Sequence, residues 1–356
     1  MTPLGAHIAA LIASEGPITV ADFMALALGH PLHGYYMTRE PFGTDGDFIT
    51  APEISQMFGE LIGLWCADLW QRIGAPERVV LAELGPGRGT LMADALRAAG
   101  KALPAFVAAV DIHLVETSAR LRTAQARALG SAPHWHDRIE TLPSGPLLVI
   151  ANEFFDALPV RQIVRTERGW CERFVTCARE ELTFAVAPDP VPTRLVPAAF
   201  ADAPPGSIGE IAPARASAAA ALARRLADNG GAALLIDYGY SATAPGDTLQ
   251  ALKGHNFCDP LAEPGHADVT AHVDFQALAE ASRGAGAAVH GPVTQGAFLD
   301  ALGIGPRAAQ LKRTASPEDA AAIDAALARL TSPAGMGDLF KVLAITAPGT
   351  PAPAGF

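Results

Sequence analysis

Three glycines and a carboxylate follow one apolar segment of the sequence. The stretch ELGPGRGT, residues 83–90, comes directly after the apolar run VVLA and has glycine at alternate positions. Glycines after a strand permit a tight turn and a close approach of the backbone to a ligand, beside the free N–H groups of the following helix. The alternative is a tight turn that binds nothing. We expect a ligand-binding turn with Glu83 at its start.

The position of the carboxylate indicates the charge of the ligand. A dinucleotide fingerprint, G-x-G-x-x-G, requires glycine where this sequence has Thr90. Glu83 would also repel a pyrophosphate, so a cationic ligand is favoured. S-adenosylmethionine carries a sulfonium and an ammonium group, and the E-x-G-x-G-x-G pattern is typical of class I methyltransferases that use it.

Further polar residues follow the next predicted strands. Glu116 ends the second strand, 27 positions after Gly89, where an acidic residue can accept both hydroxyls of a ribose. An exposed glutamate at a helix start is the alternative. Trp135, His136 and Asp137 follow a short third strand, where an adenine would be stacked, although such residues are as common in cores and at rims.

The segment NEFFDALP, residues 152–159, follows the apolar run LLVIA. Ligands of open α/β sheets bind beyond the carboxyl ends of the strands. Glu153 and Asp156 have the chemistry to hold a guanidinium by charge-assisted bonds, and a carboxylate can take up its proton, with Asn152 at the strand end. The alternative is that Asn152 and Asp156 cap a following turn.

Composition bounds the class of protein. The 356 residues are 50% hydrophobic, enough for a large core, and the net charge of -11 disfavours nucleic acid and anionic membranes as partners. The four cysteines show no C-x-x-C spacing, and His255, His266 and His272 fit no standard zinc pattern, so we expect no metal. No apolar run approaches the ~18 residues that span a bilayer. A soluble cytoplasmic protein with reduced thiols and a basic partner is predicted.

Strand, glycine turn and helix alternate along part of the chain, which predicts an α/β fold with a mostly parallel sheet and helices on both faces. We assign this Rossmann-like core to residues 76–160, 214–240 and 335–348. Residues 1–75 are predicted as N-terminal helices and a lid loop. Residues 161–213 and 241–334 are predicted as an inserted subdomain of strands and loops, with 188–213 and 240–274 expected to be mainly loop.

Five segments together resemble the MidA-like family of S-adenosylmethionine-dependent methyltransferases, which includes a mitochondrial assembly factor that dimethylates an arginine of a respiratory complex I subunit. They are HGYYMTREPFGTDGDFITAPEISQMFGELIGLW, ELGPGRGTLMAD, ANEFFDALPV, LLIDYGY and TLQALKGHNFCDPLAEPGHADVTAHVDF. The resemblance implies a class I methyltransferase fold, S-adenosylmethionine as donor, and a protein arginine as acceptor, most simply in a complex I subunit.

The resemblance also implies roles for individual residues. Donor contacts fall on Glu83, Gly85, Gly87, Gly89 and Glu116, with Asn152 nearby. The loop GTDGDFITAPE resembles a lid, with Tyr35, Tyr36, Asp47, Thr50 and Glu53 as candidates for contact with donor or acceptor, and the later loop with His255, Asp259, Asp268, Thr270, His272 and Asp274 resembles the acceptor side. Two other functions remain open at this point: a nicotinamide-dependent oxidoreductase, and an assembly chaperone that binds the donor without transferring its methyl group.

Overall fold

The computed structural model describes residues 1–38 and 49–356. Its helices are α1 (Pro3–Glu15), α2 (Val20–Gly29), α3 (Tyr35–Thr38), α4 (Ala51–Ile54), α5 (Gln56–Arg72), α6 (Thr90–Ala102), α7 (Pro104–Ala109), α8 (Ala119–Leu129), α9 (Pro213–Asn229), α10 (Phe275–Gly284), α11 (Gln295–Ala301), α12 (Ile304–Lys312) and α13 (Pro317–Thr331). Its strands are β1 (Ile18–Thr19), β2 (Val79–Leu84), β3 (Val110–Val115), β4 (His134–His136), β5 (Leu147–Asn152), β6 (Arg161–Thr166), β7 (Gly169–Ala178), β8 (Glu181–Pro190), β9 (Ile208–Ile211), β10 (Gly231–Tyr240), β11 (Gln250–Lys253), β12 (Asn256–Cys258), β13 (Asp268–Thr270), β14 (Val273–Asp274), β15 (Ala288–Thr294) and β16 (Phe340–Thr346).

The chain forms two compact units. Unit 1 combines the described part of Met1–Phe48 with Phe155–Ala216 and Ala242–Val273, and unit 2 combines Ile49–Phe154, Ser217–Ser241 and Asp274–Phe356. The boundaries of these two units differ from those of the predicted domains. Helix α5 belongs to unit 2 because its apolar face packs into the same core as α6, and residues 274–334 belong there because β15 joins the same sheet as β16.

Unit 2 contains a mostly parallel sheet with the strand order β15-β16-β10-β5-β2-β3-β4. Strands β4, β3, β2, β5 and β10 run parallel to one another, and β16 is antiparallel to both β10 and β15. The order reverses between β2 and β5, so the crevice beyond their carboxyl ends is the expected place for a ligand. This arrangement confirms the predicted α/β class.

Both faces of this sheet are covered. Every residue of β2 and of β5 is buried, as are the first seven residues of β10. Because successive side chains of a strand point to opposite faces, an unbroken buried run requires packing on each side. The apolar runs VVLAEL and LLVIAN therefore form central strands, and the polar residues near their carboxyl ends, Glu83 and Asn152, lie at the edge where a ligand is expected.

Unit 1 is built on antiparallel sheets. Strands β8, β7, β6 and β9 pair in that order, with β1 on β7, and β12-β11-β13 forms a separate three-stranded sheet. Strands β6 to β8 confirm that the first part of the predicted inserted subdomain consists of strands. Residues 188–213 and 240–274 are mainly loop, as expected, but they also contain short strands that were not predicted: β9 in the first segment and β11 to β13 in the second. Strand β9 pairs with β6, which is distant in sequence, whereas β11 pairs with the nearby β12 and β13; these strands are too short to show a clear alternation of residue types.

Candidate active site

Glu83 lies at the carboxyl end of β2, with 3% of the residue exposed. Burial raises the pKa of its carboxyl to about 8, against the opposing effect of a bond donated by the Met92 backbone amide. Met92 is in the first turn of α6, where N–H groups lack intrahelical partners. Over the part of the chain that the structure describes, Glu83 Oε2 has no hydrogen-bond partner. A buried acceptor atom of this kind is costly unless a ligand completes it.

The three glycines after Glu83 adopt backbone conformations that side chains disfavour. Their φ angles are +61° at Gly85, +52° at Gly87 and +84° at Gly89. A Cβ at Gly85 would lie 3.1 Å from the Phe154 ring, and one at Gly89 would lie 3.3 Å from the Cα of Gln125. The turn therefore needs glycine both for its backbone angles and for its close contacts.

Glu116 follows β3 and is 9% exposed. The backbone N–H of Ser118 donates to its Oε1 at 2.7 Å, and Nε2 of Gln125 lies 3.3 Å from its Oε2. Burial raises the pKa of this carboxyl in spite of these bonds. Gln125 also donates to the carbonyl oxygen of Gly87 at 2.8 Å, and the Trp135 indole donates to Gln125 Oε1 at 2.8 Å. Glu116, the residue predicted to bind the ribose, is thus connected through Gln125 to the glycine turn and to β4.

The two candidates beside Trp135 make their contacts elsewhere. His136 Nε2 lies 2.8 Å from His113 Nδ1, and its Nδ1 lies 3.0 Å from Thr141 Oγ1. Burial lowers the pKa of His136. The Asp137 side chain is 75% exposed and forms an ion pair with Arg122 at 2.6 Å. A role for either residue in donor binding stays a prediction.

Asn152 and Glu153 lie at the end of β5, beside β2. Asn152 is 8% exposed, its Nδ2 donates to Glu153 Oε1 at 3.1 Å, and its Oδ1 has no partner within residues 1–38 and 49–356. The backbone N–H of Ala51 donates to the same Glu153 oxygen at 3.1 Å. Glu153 has φ +50° and its N–H donates to the Ile236 carbonyl, so a bond to β10 holds this strained residue at the strand edge.

Helix α4 connects to the same edge. Glu53 accepts from Arg88 at 2.5 Å and from the Thr90 hydroxyl at 2.6 Å, so its carboxylate is bonded to the glycine turn and to the start of α6. Thr50 is the N-cap residue of α4 and is 8% exposed. Arg88 was not among the sequence candidates, although it lies inside the glycine motif. Asp47, a further candidate, lies outside the described residues.

Unit 1 places Tyr36 next to two of the acidic candidates. Its hydroxyl donates to Asp268 Oδ1 at 3.0 Å. Burial, followed by the charges of Asp268 and Asp156, raises the pKa of Tyr36 well above its usual value. The Tyr35 ring is fully buried and packs edge-on against Tyr36, with centroids 5.3 Å apart. The loop candidate His255 lies apart from this cluster in sequence, exposed at the turn between β11 and β12 with φ +62°.

A buried arginine fixes the backbone around these residues. Arg215 is 2% exposed and its guanidinium donates to the carbonyl oxygens of Asp156 at 2.8 Å, Leu158 at 3.1 Å, Ala271 at 3.0 Å and His272 at 2.6 Å. Residues 155–159 of the NEFFDALP segment and the segment with His272 are therefore adjacent in unit 1. The predicted catalytic residues Glu153 and Asp156 belong to unit 2 and unit 1, respectively.

Comparison with known proteins decides the family. Residues 61–293 match a family described as S-adenosyl-L-methionine-dependent methyltransferases. The chain belongs to this family. It is 39% identical to the protein arginine methyltransferase NDUFAF7 homolog of Drosophila melanogaster, covering 96% of this chain and 84% of that protein, and 38% identical to mouse NDUFAF7, covering 97% and 84%. S-adenosylmethionine is accordingly the methyl donor of this methyltransferase, as predicted.

The fold comparison agrees with the sequence comparison. A crystal structure from Burkholderia thailandensis, of a methyltransferase-like protein bound to S-adenosylhomocysteine, matches with a TM-score of 0.86 at 32% identity, over 99% of this chain and 93% of that one. The predicted class I methyltransferase fold is therefore confirmed. The alternative of a nicotinamide-dependent oxidoreductase is set aside, because the matching family consists of methyltransferases and the matching structure holds S-adenosylhomocysteine.

The predicted cytoplasmic location is wrong on this comparison. The Drosophila and mouse relatives are both named as mitochondrial proteins. The prediction rested on cysteine spacing, which reports on redox conditions and does not distinguish one reducing compartment from another. Among the residues that the structure describes, no helix combines the length and apolarity needed to span a bilayer. Within the same ranges, no three His, Cys, Asp or Glu side chains group as metal ligands.

Proposed function

We propose that this methyltransferase transfers a methyl group from S-adenosylmethionine to an arginine side chain of a protein, a subunit of respiratory complex I. The names of the relatives support an arginine acceptor, because they are protein arginine methyltransferases sharing more than a third of their residues with this chain. The excess of acidic over basic residues is compatible with a basic acceptor segment.

The single observation that carries the donor site is the pair of buried acceptor atoms at the ends of two adjacent parallel strands. Glu83 lies near the end of β2 and Asn152 ends the adjacent strand β5. In the described ranges, Glu83 Oε2 and Asn152 Oδ1 have no hydrogen-bond partner. Acceptors that are buried and unsatisfied suit the ammonium group of the donor. They lie where an open α/β sheet binds its ligands, next to glycines that let the backbone approach.

We assign the remaining donor contacts from this position. Glu83 and Asn152 receive the ammonium group, the backbone of Gly85, Gly87 and Gly89 lines the donor, and Glu116 accepts the two ribose hydroxyls. Thr50, His136 and Asp137 complete the proposed donor side. The bound donor supplies an electrophilic methyl group on a sulfonium centre, and all further work falls to the side chains of the protein.

The acceptor side needs a carboxylate that orients the guanidinium and takes up the proton that its nitrogen loses. A free guanidinium group has a pKa above 12 and stays protonated at neutral pH, so a negative group beside the reacting nitrogen is required to accept its proton. We propose Glu153 for this role, because its carboxylate is held by Ala51 and Asn152 at the donor edge. Asp156, Tyr36 and Asp268 are proposed to hold the acceptor segment, with Tyr35, Glu53, His255 and His272 as further contacts.

The test combines transfer and binding. The protein is incubated with donor labelled in the methyl group and with complex I subunits, and the label is located by mass spectrometry. Label on an arginine is expected, and label on another residue type, or none, contradicts the proposed acceptor.

Variants then assign the roles. Glu153→Gln and Asp156→Asn should bind S-adenosylhomocysteine as the wild type does while transfer falls by a factor of roughly 100 or more for Glu153→Gln. The exposed Glu77→Gln is the matched control. Undiminished transfer by a variant removes that residue from the mechanism. Donor binding by the wild type without any transfer would favour the chaperone alternative.

A further inference from the structure

We propose that Gln125 is a positioning residue for donor binding: it holds the Glu116 carboxylate against the glycine turn and thereby sets how strongly the ribose is recognised. This inference rests on the proposed role of Glu116 in accepting the ribose hydroxyls. Gln125 is fully buried on α8, the helix that follows Glu116 in the chain.

The amide of Gln125 uses its hydrogen-bonding groups in three directions. Its Nε2 lies 2.8 Å from the Gly87 carbonyl oxygen and 3.3 Å from Glu116 Oε2, so each of its two hydrogens has an acceptor. Its Oε1 accepts from the Trp135 indole, a group that can only donate. The indole therefore fixes which end of the amide faces Glu116 and the glycine turn.

The two oxygens of Glu116 are held by different groups. Oε1 accepts from the backbone N–H of Ser118, which belongs to the local turn, whereas Oε2 faces Gln125. Removal of the amide would leave one oxygen anchored and the other without that donor, so the plane of the carboxylate could rotate. A ribose diol needs both oxygens in one orientation, since two hydroxyls on adjacent carbons must donate together.

The backbone also brings these groups together. A Cβ atom at Gly89 would lie 3.3 Å from the Cα of Gln125, so α8 packs directly on the glycine turn. The same residue thus contacts the turn proposed to line the donor, the acid proposed to bind its ribose, and the strand β4. A purely structural role for the amide is the competing explanation, and the two differ in what they predict for ligands without a ribose hydroxyl.

Substitutions separate the two explanations. Gln125→Met keeps the length of the side chain and removes all three polar contacts, while Trp135→Phe keeps an aromatic ring and removes the N–H that orients the amide. Calorimetry compares S-adenosylhomocysteine with its 2′-deoxy analogue. For Gln125→Met we expect about tenfold weaker binding of S-adenosylhomocysteine, the effect of roughly one hydrogen bond, and little change for the analogue. Trp135→Phe should show the same pattern with a smaller loss.

The controls make the outcome unambiguous. Arg127→Gln, on the exposed side of α8, should leave both affinities unchanged. An equal loss for the two ligands in both Gln125→Met and Trp135→Phe would overturn the inference, because it would report a general disturbance of the fold. Unchanged binding of S-adenosylhomocysteine would overturn it as well. Failure of the wild type to bind S-adenosylhomocysteine would instead contradict the proposed donor site.

Discussion

Binding of the donor should release protons from Glu83. Its pKa of about 8 means that about 0.9 of the carboxyl groups carry a proton at pH 7 in the free protein. A carboxyl that pairs with an ammonium group must ionise, so this proton leaves on binding. The ligand amino group lies next to a free carboxylate and is already protonated at pH 7, so it takes up almost no proton. We therefore expect a net release of about 0.9 proton per S-adenosylhomocysteine bound.

Calorimetry in buffers of different ionisation enthalpy measures this number directly. The binding enthalpy at pH 7 is plotted against the ionisation enthalpy of the buffer, and the slope gives the protons exchanged. Glu83→Gln, which cannot ionise, should lose the release. If that variant binds too weakly to be measured, the pH dependence of the wild type serves instead: its affinity should rise about ninefold between pH 6 and pH 7. Equal slopes for wild type and variant, or an affinity independent of pH in this range, would refute the assignment of Glu83 to the ammonium group.

Three further predictions follow from the structure. The pKa of Glu83 is higher in the folded protein than in the unfolded chain. The free energy of unfolding of the wild type, relative to that of Glu83→Gln, should therefore fall by up to about 5 kcal/mol as pH rises from about 4.5 to about 8. Urea titrations measure this difference, and the exposed Glu77→Gln should show no such trend. Arg215→Ala should lower the free energy of unfolding by ~3 kcal/mol or more, since four carbonyl oxygens lose their donor. Arg215→Lys should restore part of this loss because an ammonium group has three hydrogens to donate. Equal stability of the two variants in chemical unfolding would contradict this prediction. Gly89→Ala should cost about 1–2 kcal/mol and weaken binding of S-adenosylhomocysteine, whereas Gly100→Ala within α6 should be neutral or stabilising by thermal unfolding.

The sequence predicted best those features that depend on neighbours along the chain. The turn after β2, the acidic residue that follows β3 and the polar end of β5 each combine an apolar run with a local change of residue type, and the structure places each at the carboxyl edge of the sheet. The α/β class followed from the same rhythm.

Features that depend on distant contacts were missed. Gln125 lies in a helix of mixed composition, and only the fold reveals that its amide meets Gly87 and Glu116. Arg215 is one of several arginines in an alanine-rich helix, and nothing local distinguishes the buried one. Arg88 could have been noticed in the sequence, because a cationic side chain inside the glycine motif requires an acidic partner, which is Glu53.

The position of β16 has a consequence for synthesis of the protein. This strand pairs with β10 on one side and β15 on the other, yet it is made more than a hundred residues after β10 begins. A ribosome-bound chain that ends before residue 340 therefore exposes two unpaired strand edges, which favour aggregation. We expect premature termination late in the message to yield insoluble product, and chaperone demand to persist until translation is nearly finished.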